Sequence, residues 1–145
     1  MRSVIFLGGV VLSSAILLAD TKPLDIKTGL WQVTMTSTVT GMGAPQTRTY
    51  KSCIRKEDLN KYPFSDPEDK CDYTVVNSTG AKMEAHGTCK RPDANVDFEL
   101  KLDAVDSETV KGTGKLTINA SGTTMNGNYT GSGKWIGATC PANMK

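Results

Sequence analysis

Apolar and polar residues alternate with a period of two along most of this chain, the pattern of strands with one buried face. The clearest case is Val96 to Ala104. Val96, Phe98, Leu100, Leu102 and Ala104 fall on one side, and Asp97, Glu99, Lys101 and Asp103 on the other. A second clear run is Gly29 to Thr40, with Trp31, Val33, Met35 and Val39 opposed to Gln32, Thr34, Thr36 and Thr38. After a loop at Gly41-Met42-Gly43-Ala44-Pro45, Gln46 to Cys53 reads as a returning strand that closes a hairpin. Cys71 to Val76 and Lys82 to Cys89 read as two more strands around the turn-forming Asn77-Ser78-Thr79-Gly80, although their weak alternation leaves the buried face open. Lys90 to Asn95 reads as a loop.

The last two strands carry the glycines. Val110 to Ile118 sets Val110, Gly112, Gly114, Leu116 and Ile118 in one phase. In the final stretch, Thr123 to Cys140, Gly127, Gly131 and Gly133 share a phase with Met125, Tyr129 and Trp135. A face of large groups interrupted by gaps lets a strand bend. Placed last in an antiparallel meander, this strand is expected to curl back against the first. Ala104 opposite Val110 puts the two neighbouring apolar faces on one side, with Asp106-Ser107-Glu108 as the loop. Ser121-Gly122 turns the chain again, and pairing Ile118 with Thr123 would set Gly114 opposite Gly127 and Gly112 opposite Tyr129.

One segment breaks the β pattern. Arg55-Lys56-Glu57-Asp58-Leu59-Asn60-Lys61 favours a short helix, ended by Pro63 and Pro67. The fold class expected is therefore all-β: an antiparallel meander of about seven or eight strands with one short helix between Cys53 and Cys71. It forms a strongly curved sheet or partly closed barrel, with a closed barrel and a sandwich as the other architectures.

Residues 1 to 19 stand apart. Arg2, the apolar run Val4 to Leu18 and the small-residue end Leu17-Leu18-Ala19 have the order of a cleavable secretory signal, and Gly8, Gly9, Ser13 and Ser14 dilute the run as a membrane span. The expected organisation is a signal peptide over 1–19 and a single extracytoplasmic β domain over 20–145, periplasmic and without a stable membrane anchor. Lys and Arg number 17 against 15 Asp and Glu, and losing Arg2 brings them closer still, so charge points to no nucleic-acid partner. Export makes disulfides the expected state of Cys53, Cys71, Cys89 and Cys140, whose wide spacing lacks the close pairs of a zinc site. Of the three pairings that four cysteines allow, Cys53 with Cys71 and Cys89 with Cys140 is favoured: the first closes the helical excursion locally, the second ties the middle of the sheet to its end.

Several motifs together resemble a known family. A G-x-W-x-V-T opening at Gly29 to Thr34, a strand ending in Cys53-Ile54, an acidic helical segment, two mid-chain cysteines and a closing G-x-W-x-G-x-x-C at Gly133 to Cys140 are similar to those of a bacterial domain-of-unknown-function family. Its members are small exported proteins, mostly from Gram-negative bacteria. The resemblance covers nearly all of the chain after the signal, though methionines after the first hairpin are fewer than in many members. It implies export and a β fold, and it carries over no catalytic residue.

Candidate chemistry is sparse. His86 lies near Glu84, Thr88 and Lys82, but no nucleophile or second acid is spaced around it, so it reads as a surface histidine. No nucleophile elbow, zinc-binding helix, phosphate loop or dinucleotide fingerprint occurs. Met35, Met42, Met83 and Met125 with His86 have the chemistry of a soft-metal site, yet they are scattered and read as packing. Asn77, Asn119 and Asn128 fit the glycosylation pattern but read as turn and strand-edge residues. The expectation is a non-enzymatic domain without metal or cofactor. In the leading reading a small apolar or amphipathic ligand binds within the curved sheet, lined by Trp31, Phe98, Tyr129 and Trp135. The alternative is a structural or interaction module contacting an envelope protein or peptide through a sheet edge or loop. An envelope hydrolase built on His86 and Glu84 is a distant third.

Overall fold

The computed structural model describes residues 21–144; the signal-peptide assignment to Met1–Ala19 lies outside them. Among the described residues seven strands form one antiparallel sheet: β1 (Gly29–Val39), β2 (Gln46–Ile54), β3 (Cys71–Ser78), β4 (Lys82–Arg91), β5 (Ala94–Asp106), β6 (Thr109–Ala120) and β7 (Thr123–Gly137). Their order across the sheet is β2-β1-β7-β6-β5-β4-β3. The final strand does return to the first, with Trp135 opposite Trp31 and Gly133 opposite Val33. The sheet is not a closed barrel: β2 and β3 are its two edges. The chain crosses from one edge to the other through residues 55–70.

That crossing segment contains no α-helix. It holds only a 3-10 turn at Lys56–Asp58, whose first free amide, on Arg55, donates to Asp58 Oδ2 at 3.0 Å. Seven residues before Tyr62-Pro63 are too few to recover the cost of nucleating a helix. The segment instead inserts its aromatics against the concave face. Phe64 packs edge-on to Trp31 with ring centroids 5.4 Å apart, Tyr62 stacks on Tyr73 at 4.6 Å, and the Ser52 and Tyr50 hydroxyls donate to the Pro63 and Phe64 carbonyls at 3.1 and 2.6 Å.

The β5–β6 register has Ala104 opposite Val110, so the two apolar faces coincide as expected. The turn is tighter than the three-residue loop: Asp106 pairs with Thr109, and a bulge turns Val105 outward, leaving it 57% exposed. The β6–β7 register differs from expectation by two residues, with Ile118 opposite Met125, Gly114 opposite Tyr129 and Gly112 opposite Gly131. Both turn residues, Ser121 (φ 48) and Gly122 (φ 79), adopt left-handed backbone, which makes a two-residue hairpin and brings Ala120 opposite Thr123. A shift of two preserves the face.

In β3 a bulge between Val75 and Asn77 changes the phase, which explains the weak alternation there: Tyr73 and Val75 turn inward before it and Ser78 is buried after it. The inner face of β4 is Met83, Ala85, Gly87 and Cys89.

The disulfides are Cys53–Cys140 and Cys71–Cys89, with Cα separations of 5.7 and 4.1 Å, not the expected pairs. Cys53 and Cys71 stand on opposite edge strands, so the excursion between them is a crossing rather than a local loop. Cys71 lies directly across the β3–β4 pair from Cys89. Leu30, which is paired with Cys53 on one side and Gly137 on the other, brings Cys140 within reach of β2.

One end of the concave face is filled. Leu24 and Ile26 of the lead into β1 are buried there with Trp31, Ile54 and Met83. The lead is held by backbone bonds from Asp25 to Gly80 and from Lys27 to Ser107, and the Trp31 and Trp135 indoles donate to the carbonyls of Lys27 and Thr28. The other end is open.

Candidate functional site

At that open end the concave face surrounds a cavity of about 520 Å³. Each strand contributes through its inward phase. Met35 and Val39 come from β1, Val96, Phe98 and Leu100 from β5, and Leu116 and Ile118 from β6. Met42 and Ala44 of the β1–β2 turn stand at the lip. The size falls in the range of small-molecule pockets, and so does the make-up, an apolar floor with a few polar groups.

All four tyrosines of the chain, Tyr50, Tyr62, Tyr73 and Tyr129, line this one cavity. Two of them occupy space left by glycines. The Tyr129 ring lies over Gly114 of β6, and the Tyr73 ring over Gly87 of β4. Tyr129 also meets Phe98 edge-on at 6.1 Å and points its hydroxyl at the Glu99 carbonyl, 3.4 Å away. Burial raises the pKa of every one of these phenols, that of Tyr73 to about 12, with the Asp69 and Asp66 charges adding to the effect there. The hydroxyls also lie near enough for a charge on one to raise the next: Tyr73 and Tyr50 act on Tyr129, and Tyr50, Tyr129 and Tyr73 act on Tyr62. At neutral pH all four are hydrogen-bond donors.

The rim is ionic and joins the two sheet edges. Arg48 of β2 lies 2.7 Å from Asp66, 3.0 Å from Glu68 and 3.5 Å from Asp69, all on the crossing segment. Arg91, at the end of β4, reaches the other oxygen of Asp69 at 3.3 Å. Asp66 is the buried member, 7% exposed. Its Oδ1 accepts the Glu68 amide, while Oδ2 sits beside Arg48 without an aligned hydrogen bond, so that contact is one of charge.

Of the residues expected to line a ligand site, Phe98 and Tyr129 are in the cavity wall. Trp31 is fully buried at the filled end, and Trp135 is half-buried beneath the Lys27 ammonium, 4.6 Å from its ring centroid. His86 is exposed on the opposite, convex face, where a second pocket of about 510 Å³, more polar in its lining, also contains Thr88, Asp97 and Lys115. Glu84 on that face pairs with Lys101 at 3.6 Å. The methionines are dispersed: Met35 lines the cavity, Met42 is exposed at its lip, Met83 is in the core and Met125 is half-buried. Asn77, Asn119 and Asn128 are exposed on strands β3, β6 and β7 rather than in turns.

The sequence reading missed Arg48, Asp66, Asp69 and Arg91, and three of the four tyrosines. The signal was partly present, since Arg48 and Tyr50 share the phase of Ser52 and Ile54 on the inner face of β2. What was lacking was the position of the crossing segment.

Fold and site define a disulfide-stapled, all-antiparallel β domain with an open apolar cavity on the concave face of one sheet. Residues 26–140 match the family described as Protein of unknown function (DUF3617), and the chain belongs to it. No curated protein and no solved structure matches it. The two disulfides indicate an oxidising compartment, extracellular or periplasmic. Among the described residues no helix is long and apolar enough to cross a membrane.

Proposed function

We propose that this is a periplasmic, non-enzymatic binding domain that holds a small apolar or amphipathic molecule in the cavity bounded by Met35, Phe98, Leu116 and Tyr129. The observation that carries the reading is the cavity itself: about 520 Å³ of space with an apolar floor and a polar mouth, in a domain otherwise packed around Trp31. A small domain gains stability by filling its core, so space of this size left in the sheet's concave face favours an occupant. His86 is on the convex face outside this cavity, so the binding reading does not involve it. Native mass spectrometry of the protein purified from the periplasm, beside an organic-solvent extract, tests the proposal. A reproducible added mass that is lost on extraction is expected, whereas an apo mass together with failure to take up any apolar probe contradicts it.

A second reading, an interaction module, is favoured by one observation. β2 pairs on one side only, and β3 does so except where Lys22 bridges its end at Ser78 and Thr79, so both leave backbone groups on the sheet edges. It predicts envelope cross-links from the exposed Lys51 of β2.

A further inference from the structure

We propose that the ligand is uncharged and carries a hydrogen-bond acceptor, an ester or ketone on an apolar body, and that the tyrosine hydroxyls of the cavity recognise this acceptor. The inference rests on the cavity being a ligand site and goes on to name the chemical class.

Two sets of polar groups line the cavity, and they differ in what they have left to offer. The guanidinium groups are already paired with carboxylates, Arg91 through one contact at 3.3 Å. Arg48 and Arg91 face Asp66, Glu68 and Asp69, three carboxylates against two cations. An anionic head group entering here would have to displace a carboxylate already in place or sit beside a rim of net negative charge. Either costs free energy that a neutral head group avoids.

The phenols are in the opposite position. Tyr50 is committed to the Phe64 carbonyl at 2.6 Å, and Tyr129 makes a long bond to Glu99 at 3.4 Å. The Tyr62 and Tyr73 hydroxyls donate to no described residue, although their rings stack at 4.6 Å and both line the cavity. Burial keeps all four protonated well past neutral pH. The cavity therefore offers donors without a matching charge, and an acceptor on a neutral ligand satisfies them. Without such a donor, burying an ester in an apolar cavity would be unfavourable relative to burying a plain hydrocarbon.

The test compares three probes with one chain length: dodecane, methyl laurate and laurate. Each competes against the neutral fluorophore N-phenyl-1-naphthylamine bound to the disulfide-intact protein. Methyl laurate is expected to compete about threefold to tenfold better than dodecane, the gain of roughly one net hydrogen bond, and better than laurate. Tyr62→Phe and Tyr73→Phe remove hydroxyls that donate to no described residue, and they should abolish the advantage over dodecane when each competition is referred to that variant's own fluorophore affinity. Laurate competing as well as or better than methyl laurate would overturn the neutral class and leave the cavity reading standing. Equal competition by methyl laurate and dodecane, or an advantage untouched by both substitutions, would overturn the role of the phenols. Failure of the fluorophore itself to bind would instead remove the cavity reading on which the proposal rests.

Discussion

Gly114 stands directly opposite Tyr129 across the β6–β7 pair, and the Tyr129 ring lies over the space a side chain at 114 would occupy. This pairing builds one wall of the cavity, because a missing side chain on one strand is filled by a phenol from the next. A β-carbon at 114 would also run into the Glu99 carbonyl. Gly114→Ala is therefore expected to destabilise the domain by about 2 kcal/mol or more. Gly131→Ala, whose added carbon would meet Met35 and the Thr34 carbonyl at an ordinary 3.4 Å, should cost clearly less. Denaturant unfolding of the two variants checks the contrast.

The staples differ in the length of chain they close. Peptide mapping without reduction should recover Cys53 joined to Cys140 and Cys71 to Cys89. The sequence separations are 87 and 18, so on the chain-entropy model their contributions are about 4 to 5 and about 3 kcal/mol. The Cys53→Ser/Cys140→Ser variant should lose the more, read as the shift in unfolding midpoint.

Arg48 and Arg91 touch the same carboxylate but should not weigh the same. Arg48→Ala leaves the buried Asp66 without its cation, and a loss of about 1 to 3 kcal/mol is expected, discounted for the exposure of Arg48 itself. Arg91→Ala removes an exposed pair, worth less than about 1 kcal/mol. Hydrogen exchange over 62–70 should rise in the first variant and stay near that of the parent in the second.

Alkaline stability follows from the phenols. The folded pKa of each tyrosine is raised above the ordinary value of 10.0 by burial, that of Tyr73 to about 12. The folded state therefore holds its phenol protons more tightly than the unfolded chain does. Their contribution is fully present below pH 10 and is lost as pH rises from there through the folded values. Ultraviolet titration should show no phenolate near pH 10 while the protein remains folded, and unfolding midpoints should fall steadily above it. Tyrosines ionising at their ordinary value in the folded protein would contradict the buried cluster.

What the sequence revealed and what it hid follow from how local each feature is. Val96 to Ala104 alternates without a break, so both the strand and its pairing with Val110 were legible. The β6–β7 pairing slipped by two because nothing in Ser121 announces its left-handed backbone. The disulfide pairing depended on residues 55–70 crossing between opposite edges of the sheet rather than closing a local loop, a long-range fact that no spacing of cysteines records. The site divides likewise. Phe98 and Tyr129 share a phase with apolar neighbours and were found, whereas Asp66 and Asp69 acquire meaning only when residues 55–70 fold across the mouth of the sheet. Trp31 was read as a lining residue because bulk on an inner face looks alike whether it fills a core or borders a space.

The place where an apolar molecule binds is the most direct measure of the cavity's role. Titrating N-phenyl-1-naphthylamine into isotopically labelled protein and following backbone and side-chain NMR shifts locates it. Saturable changes are expected, concentrated on Met35, Phe98, Leu116, Ile118 and Tyr129, with the convex face around His86 unmoved. Changes centred on His86 and Lys115, or none at saturating probe, would contradict that role.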